Sequence, residues 1–498
     1  MDFAALTEGV VALPPAALYL VGTFVFLLAV AALRVISNQL NAKAPPVFEG
    51  VPFLGGILKF VQGPMKLMAE GYARHGEVFT VPVLHKNITF LLGPCVSAHF
   101  FKANDEEMSQ KEVYEFNVPT FGKGVVFDVD HKVRAEQFRF FAEALKTAKL
   151  KLYVPHFVSE AEAYFAKWGD AGEVDLSKAF AELIILTASR TLMGREVREN
   201  MFTQVAELFH DLDAGMLPVS VLFPYLPIPQ HRRRDRAREE LSRIFSKVIR
   251  ARRASGARED DILQCFIDSR YEKVYGGRAL TDDEITGLLI ATLFAGQHTS
   301  SITSAWTGYF MIANKATAWA AAEAEQRRVL AERGPAIDID ALGEMDALQR
   351  NITEALRLFP PLIMLLRQAN AAFSVETSAG RRHVVPKGHI VFASPAFSHR
   401  LPAVFPQPDA FEPERFAPPR EEDKVAPFSF IGFGGGRHGC MGSNFAYLQI
   451  KTIWSLLLRN FEFELVDPFP EADYDSLVVG PKPCRVRYHR RALHAQGI

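Results

Sequence analysis

The chain has 498 residues, 49% of them hydrophobic, enough for one large domain or two medium ones. Lys and Arg number 56 against 57 Asp and Glu, and a net charge of -1 excludes the basic excess that a nucleic-acid partner requires. The four cysteines, Cys95, Cys265, Cys440 and Cys484, form no C-x-x-C pair, which excludes a disulfide framework and a zinc site of ordinary spacing.

Residues 10–33, VVALPPAALYLVGTFVFLLAVAAL, carry no charge. Pro14 and Pro15 suit a helix start, and the apolar run after them approaches the roughly 20 residues that cross a bilayer. No Lys or Arg precedes the run, as a cleaved signal peptide would require, and the first positive charges, Arg34 and Lys43, follow it. This predicts a single-pass anchor over residues 1–36, with the bulk of the chain on the cytoplasmic side. The segment APPVFEGVPFLGG is too rich in Pro and Gly for a helix and reads as a stiff hinge within 37–56. From residue 57 to 498 the pattern is mainly helical with short strands, as in FTVPVL, VVPKGHIVFA and FEFELV, and no internal repeat interrupts it. One helix-rich domain with small β-sheets is the simplest architecture.

Further along, LTDDEITGLLIATLFAGQHTSSITSAWTGYFMIAN opens on a capping box, Thr281 with Glu284, and supports a helix of roughly 30 residues, about 45 Å long. In its middle Ala295 and Gly296 remove side-chain bulk, and the Thr299 hydroxyl can bond back to a carbonyl and open the helix locally. In EMDALQRNITEALRLFPPL, Glu354 and Arg357 fall on one helix face that Pro360 and Pro361 terminate. FEPERF adds Arg415.

Residues 431–442, IGFGGGRHGCMG, set Cys440 among glycines. Gly434, Gly436 and Gly439 fit G-x-G-x-x-G between a strand-like FSFIGF and a helical run, the outline of a dinucleotide-binding unit. Barely 30 residues follow Val466, too few for the strand and helix pairs that such a sheet needs. The other reading makes Cys440 a metal ligand: amides of a glycine turn and a following helix N-terminus stabilise a thiolate, and glycines let backbone lie flat against a planar cofactor. One cysteine cannot hold zinc but suffices for haem iron.

Phe433, Gly436, His438, Cys440 and Gly442 together resemble the cysteine-ligand signature of the cytochrome P450 superfamily, the haem-thiolate monooxygenases, and Glu354, Arg357 and Arg415 resemble its buried structural triad. The superfamily commonly places an acid before the mid-helix threonine, where this chain has His298. AGQHTS, with VYEFNVPTFGKGVVFD at 113–128, is similar to the sterol 14α-demethylases over nearly all of residues 45 to 490, and the texture of EQFRFFAEALK and ALRLFPPLIMLLR looks most like their plant and green-algal branch, the obtusifoliol 14α-demethylases.

That resemblance implies a P450 fold and haem b with Cys440 as axial ligand. It implies Tyr114, Arg134, Arg367 and His438 at the propionates, with Phe433, Gly436 and Gly442 shaping the cradle. Family members carry a second aromatic hydroxyl where this chain has Phe127. The implied reaction removes the 14α-methyl in three rounds that consume O2 and NADPH, through alcohol and aldehyde to formate, leaving a C14 double bond. His298 and Thr299 would form the proton relay, with Asp213 reaching His298. The apolar sterol cavity would be lined by residues drawn from the set Phe116, Phe121, Phe127, Met216, Leu217, Ala295, Leu362, Met364, Leu366, Leu477 and Val478, with Tyr114 beside them. Phe116 stands where branches acting on C4-dimethylated sterols tend to carry leucine. The chain has no room for a flavin or nicotinamide domain, so a separate NADPH-cytochrome P450 reductase is the expected partner. Membrane lipid would meet the anchor and the apolar stretch 217–228 ahead of the arginines, at the endoplasmic reticulum.

Overall fold

The computed structural model describes residues 43–48, 55–83 and 86–493, together with the helical positions Tyr19, Gly22, Val25, Phe26 and Ala29. The anchor expected over 1–36 otherwise lies outside the described residues, and among these no helix is long and apolar enough to cross a membrane. The hinge expected over 37–56 is partly fastened to the domain. Phe48 N–H donates to Thr80 O at 2.8 Å, Thr80 N–H donates to Pro46 O at 2.8 Å, and Gly55 already opens a helix, Gly55–Gln62.

The architecture is mainly helical. A 32-residue helix, Asp282–Ala313, runs through the largest apolar cluster and begins on the expected capping box. Buried residues occur on every face of it, because other elements pack around it from all sides. We call it the central helix. Thr299 Oγ1 does donate to Ala295 O, at 2.6 Å, but the helix stays α-helical through this point.

The largest sheet has five strands in the order Val78–Val83, Lys86–Leu91, Ile390–Ala393, Leu365–Ala369 and Met108–Ser109. Lys86–Leu91 pairs in parallel with Ile390–Ala393, Ile88 opposite Ile390, and the other pairings are antiparallel. The stretch read as one strand, VVPKGHIVFA, is two: Pro386 and Gly388, at φ +87°, turn the chain, so Arg382–Val385 pairs with Phe373–Glu376 while Ile390–Ala393 joins the large sheet. A proline has no N–H for the ladder, and a positive φ breaks the pleat.

A third sheet excludes the dinucleotide reading. FEFELV does form a strand, Phe461–Leu465, but it pairs antiparallel with Arg485–Arg490, and FSFIGF is turn and loop rather than strand. Among the described residues the glycine loop thus follows no strand of a parallel sheet.

Candidate functional site

The glycine loop is shaped by φ values that only glycine adopts freely: Gly434 at +67° and Gly436 at +61°. A Cβ on Gly436 would fall 2.0 Å from the Phe101 carbonyl oxygen. Cys440 N–H donates to Phe433 O at 2.8 Å and closes the loop. Helix Ser443–Asn460 begins just beyond, and the Gly442 and Ser443 amides point at the Cys440 sulfur. Burial pushes the thiol pKa up, and these two amides oppose it. Yet Cys440 keeps an accessible surface. Ala295 is likewise exposed in mid-helix between buried turns, and a Cβ on Gly296 would meet nothing within 4 Å.

Behind the loop stands the ionic triad. Glu354 accepts from Arg357 Nε at 2.7 Å and Nη2 at 2.9 Å, and from Arg415 Nε at 3.0 Å, all three side chains being fully buried. Arg357 also donates to the His399 and Pro408 carbonyls at 2.8 and 2.7 Å, and Arg415 reaches Glu422. His399 was not foreseen. Its Nδ1–H donates to Arg357 O at 3.2 Å, and its Nε2 accepts from Ile431 N–H, the first residue of the cysteine loop, at 2.8 Å. Burial, helped by the Arg357 charge, drives its pKa down to about 3, so it is a neutral strut between triad and loop.

On a second side lies a cation cluster. Arg134 Nη2 donates to Asp105 Oδ1 at 2.8 Å, His438 Nε2 approaches the same oxygen at 3.0 Å, and Arg437 lies 3.8 Å from the other. Burial alone would raise the Asp105 carboxyl; the His438 ring and the two arginines outweigh it and hold it below its ordinary value. Arg367 sits 4.3 Å over the Phe100 ring, donates to Phe100 O, and is lowered by burial to about 10. Among the described residues its buried Nε has no partner, and neither His438 ring nitrogen has a well-aligned one. Tyr114 hydroxyl accepts from Leu366 N–H at 3.3 Å beside them. Orphaned donors in a buried, positively charged corner fit a ligand that brings anionic oxygens, as the two haem propionates would. The sequence brought Tyr114, Arg134, Arg367 and His438 to notice, but not Asp105, since nothing in NDEEM separates it from the neighbouring acids.

An aromatic row links this corner to the central helix. Tyr114 stacks on Phe127 with centroids 5.2 Å apart, Phe127 on Phe121 at 6.2 Å, and Phe121 meets Phe294 edge-on at 6.0 Å. Phe116 stands 6.3 Å from Tyr114. Met216 Sδ accepts from Thr120 Oγ1 at 3.3 Å, which brings the segment of Met216 and Leu217 against the same wall. In another part of the domain, Val479 N–H donates to Pro361 O at 2.8 Å, joining Leu477 and Val478 to the turn of Leu362. Leu362 and Leu477 are exposed, whereas Met364 and Leu366 also pack on the sheet cluster of Phe79, Phe90 and Phe392.

One turn from Ala295, His298 Nε2 lies 2.9 Å from Asp213 Oδ1, at the end of helix Phe202–Asp213. That hydrogen bond raises the histidine pKa above its ordinary value against the opposing effect of burial. Beyond Asp213, Val219, Val221, Leu222, Phe223 and Tyr225 form an exposed apolar patch.

The cytochrome P450 family profile matches residues 45–488. An obtusifoliol 14-alpha demethylase of Triticum aestivum is 61% identical over 453 residues, covering 91% of this chain and 99% of its own. A sterol 14-demethylase of Arabidopsis thaliana is 60% identical over 460 residues, 92% of this chain and 93% of its own. The lanosterol 14-alpha demethylase of Homo sapiens is 40% identical over 476 residues, 94% and 91%. Among solved structures, a retinoic acid-bound cyanobacterial CYP120A1 superposes with a TM-score of 0.74 at 22% identity, over 90% of this chain and 99% of that one, a likeness of fold.

Proposed function

The chain belongs to the cytochrome P450 family, in its sterol 14-demethylase branch, and we propose that its substrate is a C4-monomethylated sterol of the obtusifoliol type. The observation that carries this choice is the contrast in likeness: 58–61% identity to the plant obtusifoliol and sterol 14-demethylases against 40% to the human lanosterol enzyme. Phe116 beside Tyr114 supports it, because a phenyl ring there takes up the volume of a second C4 methyl.

Haem b ligated by Cys440 would supply activation of dioxygen, with electrons from NADPH through a separate reductase. Gly442 and Ser443 amides moderate the thiolate charge. Arg134, Arg367, His438 and Tyr114 would hold the propionates. The aromatic row and the residues around Leu362 and Leu477 keep water from an apolar substrate and orient its 14α-methyl toward Thr299. That methyl is oxidised to alcohol, to aldehyde, and is released as formate with a C14 double bond. His298, whose protonated form is favoured by its bond to Asp213, delivers protons from the half-exposed edge of the central helix to the Thr299 hydroxyl.

The chain would work at the endoplasmic reticulum membrane, held by an anchor over 1–36 and a linker over 37–56, with the patch Val219–Tyr225 in contact with lipid. A competition assay with obtusifoliol and lanosterol tests the substrate. Obtusifoliol is expected to have the higher kcat/KM, and Phe116→Leu to move the ratio toward lanosterol by about 10-fold or more, the usual range for one methyl in a pocket. Equal values for the two sterols in the parent enzyme would refute the assignment.

A further inference from the structure

Val126 is the odd residue of its loop. Residues 122–126 need left-handed backbone three times: glycine meets the need at Gly122, φ +104°, and at Gly124, φ +76°, but Val126 adopts φ +48° with a β-branched side chain. Such a conformation is rare for valine and persists only where the surroundings impose it. Val126 packs into the apolar core, Asp128 accepts from Gly124 N–H at 2.9 Å, and the loop also meets one fully buried polar side chain, Gln137. Its Oε1 accepts from Val126 N–H at 2.8 Å, and its Nε2 donates to Gly124 O at 2.9 Å and to Tyr271 hydroxyl at 3.0 Å. The amide orientation is fixed, since an N–H must be accepted and a carbonyl must be donated to. Tyr271 in turn donates to Glu284 Oε1 at 3.1 Å, and Glu284 caps the central helix and pairs with Arg278 at 2.8 Å. The clamp is thereby tied to the first turn of the central helix.

The residue after Val126 is Phe127, the middle ring of the row from Tyr114 to Phe121. We propose that Gln137 is a positioning residue for substrate recognition, holding Val126 in its strained conformation so that the Phe127 ring is fixed as a wall of the substrate cavity. This rests on the reading of that cavity as a sterol site. Without the clamp, Val126 relaxes to an ordinary φ, Phe127 turns out of the row, and the cavity loses shape before it loses any reacting group.

Two readouts on the haem-loaded enzyme test this separately. Amide hydrogen exchange without sterol examines the clamp: Gln137→Met, close in volume but without the three hydrogen bonds, is expected to unprotect the Val126 amide. Spectral titration with obtusifoliol examines its consequence: the same variant is expected to bind about tenfold more weakly, the factor if a conformational cost of the size usual for such a φ is transferred to binding. The decisive arm is Gln137→Met with Val126→Gly, since glycine takes a positive φ without strain. It is expected to recover most of the affinity, which a general loss of buried hydrogen bonds would not allow. Should Gln137→Met not accumulate, Tyr271→Phe, which removes only the hydroxyl behind the clamp, is expected to weaken binding less and to be rescued by Val126→Gly in the same way. Retained exchange protection in Gln137→Met, or a double variant that binds no better than the single, overturns the proposal. A parent enzyme that binds no sterol while Gln137→Met still unprotects the amide overturns the sterol reading instead.

Discussion

The cysteine side and the histidine side of the cavity are built to opposite specifications. Glu354, Arg357 and Arg415 are each 0% exposed, each with several partners, and His399 ties them to the start of the cysteine loop. His298 and Asp213 are 32% and 44% exposed and share a single hydrogen bond. Buried charges deprived of a partner cost about 3–5 kcal/mol, whereas exposed pairs are worth about 0–1 kcal/mol. The difference teaches which side must stay still. On the proposed assignment, Cys440 as a thiolate ligand would need a fixed cradle, while His298 and Asp213 as a proton relay would need water at one end and a loosely held acid.

The contrast can be broken most completely at Cys440. Cys440→Ala is expected to abolish the red-shifted carbon monoxide band of a thiolate-ligated haem, while Cys95→Ala, Cys265→Ala and Cys484→Ala keep it; a band surviving in Cys440→Ala would remove the ligand assignment. Next comes Glu354→Gln, which leaves two buried guanidiniums facing a neutral amide. A destabilisation of about 3–5 kcal/mol is expected, read as a lower Tm and loss of bound haem.

On the other side, His298→Ala should leave the fold and sterol affinity intact but lower kcat by about 10²–10⁴-fold, with NADPH consumption diverted to peroxide. Tight coupling at normal turnover would exclude His298 from the relay. The smallest effect belongs to Asp213→Asn. Because the bond to Asp213 raises the His298 pKa, the histidine stays protonated to higher pH than a free imidazole, about 6.5. Whatever stability the pair adds is complete below that value and lost as pH rises through the folded pKa. Asp213→Asn should therefore move the alkaline limb of the kcat profile to lower pH, and an unmoved limb would show that the acid does not serve the histidine.

Much of this was legible in the sequence, for a physical reason. Spacing motifs such as Glu354 with Arg357, the glycines around Cys440, and Thr281 with Glu284 record constraints between residues close in sequence: in the structure the first form an ion pair, Gly434 and Gly436 take positive φ, and the last form a capping box. His399 and Asp105 were not legible, because their partners, Ile431 and Arg134, lie about thirty residues away and neither residue type carries a local signature. The break in VVPKGHIVFA was legible in principle from Pro386 and Gly388, whose backbone preferences outweigh a continuous apolar pattern. The assignment of Ile390–Ala393 to its sheet was not, because its parallel neighbour lies in another part of the chain.

That neighbour sets a timetable. Strand Lys86–Leu91 leaves the ribosome long before Ile390–Ala393 exists to pair with it, roughly three hundred residues later, or about 15–60 s at ~5–20 residues per second. Throughout that interval the nascent chain carries a two-stranded hairpin with an open edge, and unpaired edges invite intermolecular pairing. The cysteine loop is made later still. A cofactor held by Cys440 would therefore be inserted late in biogenesis, and nascent chains stalled between residues 91 and 390 should depend on chaperones far more than the finished enzyme does.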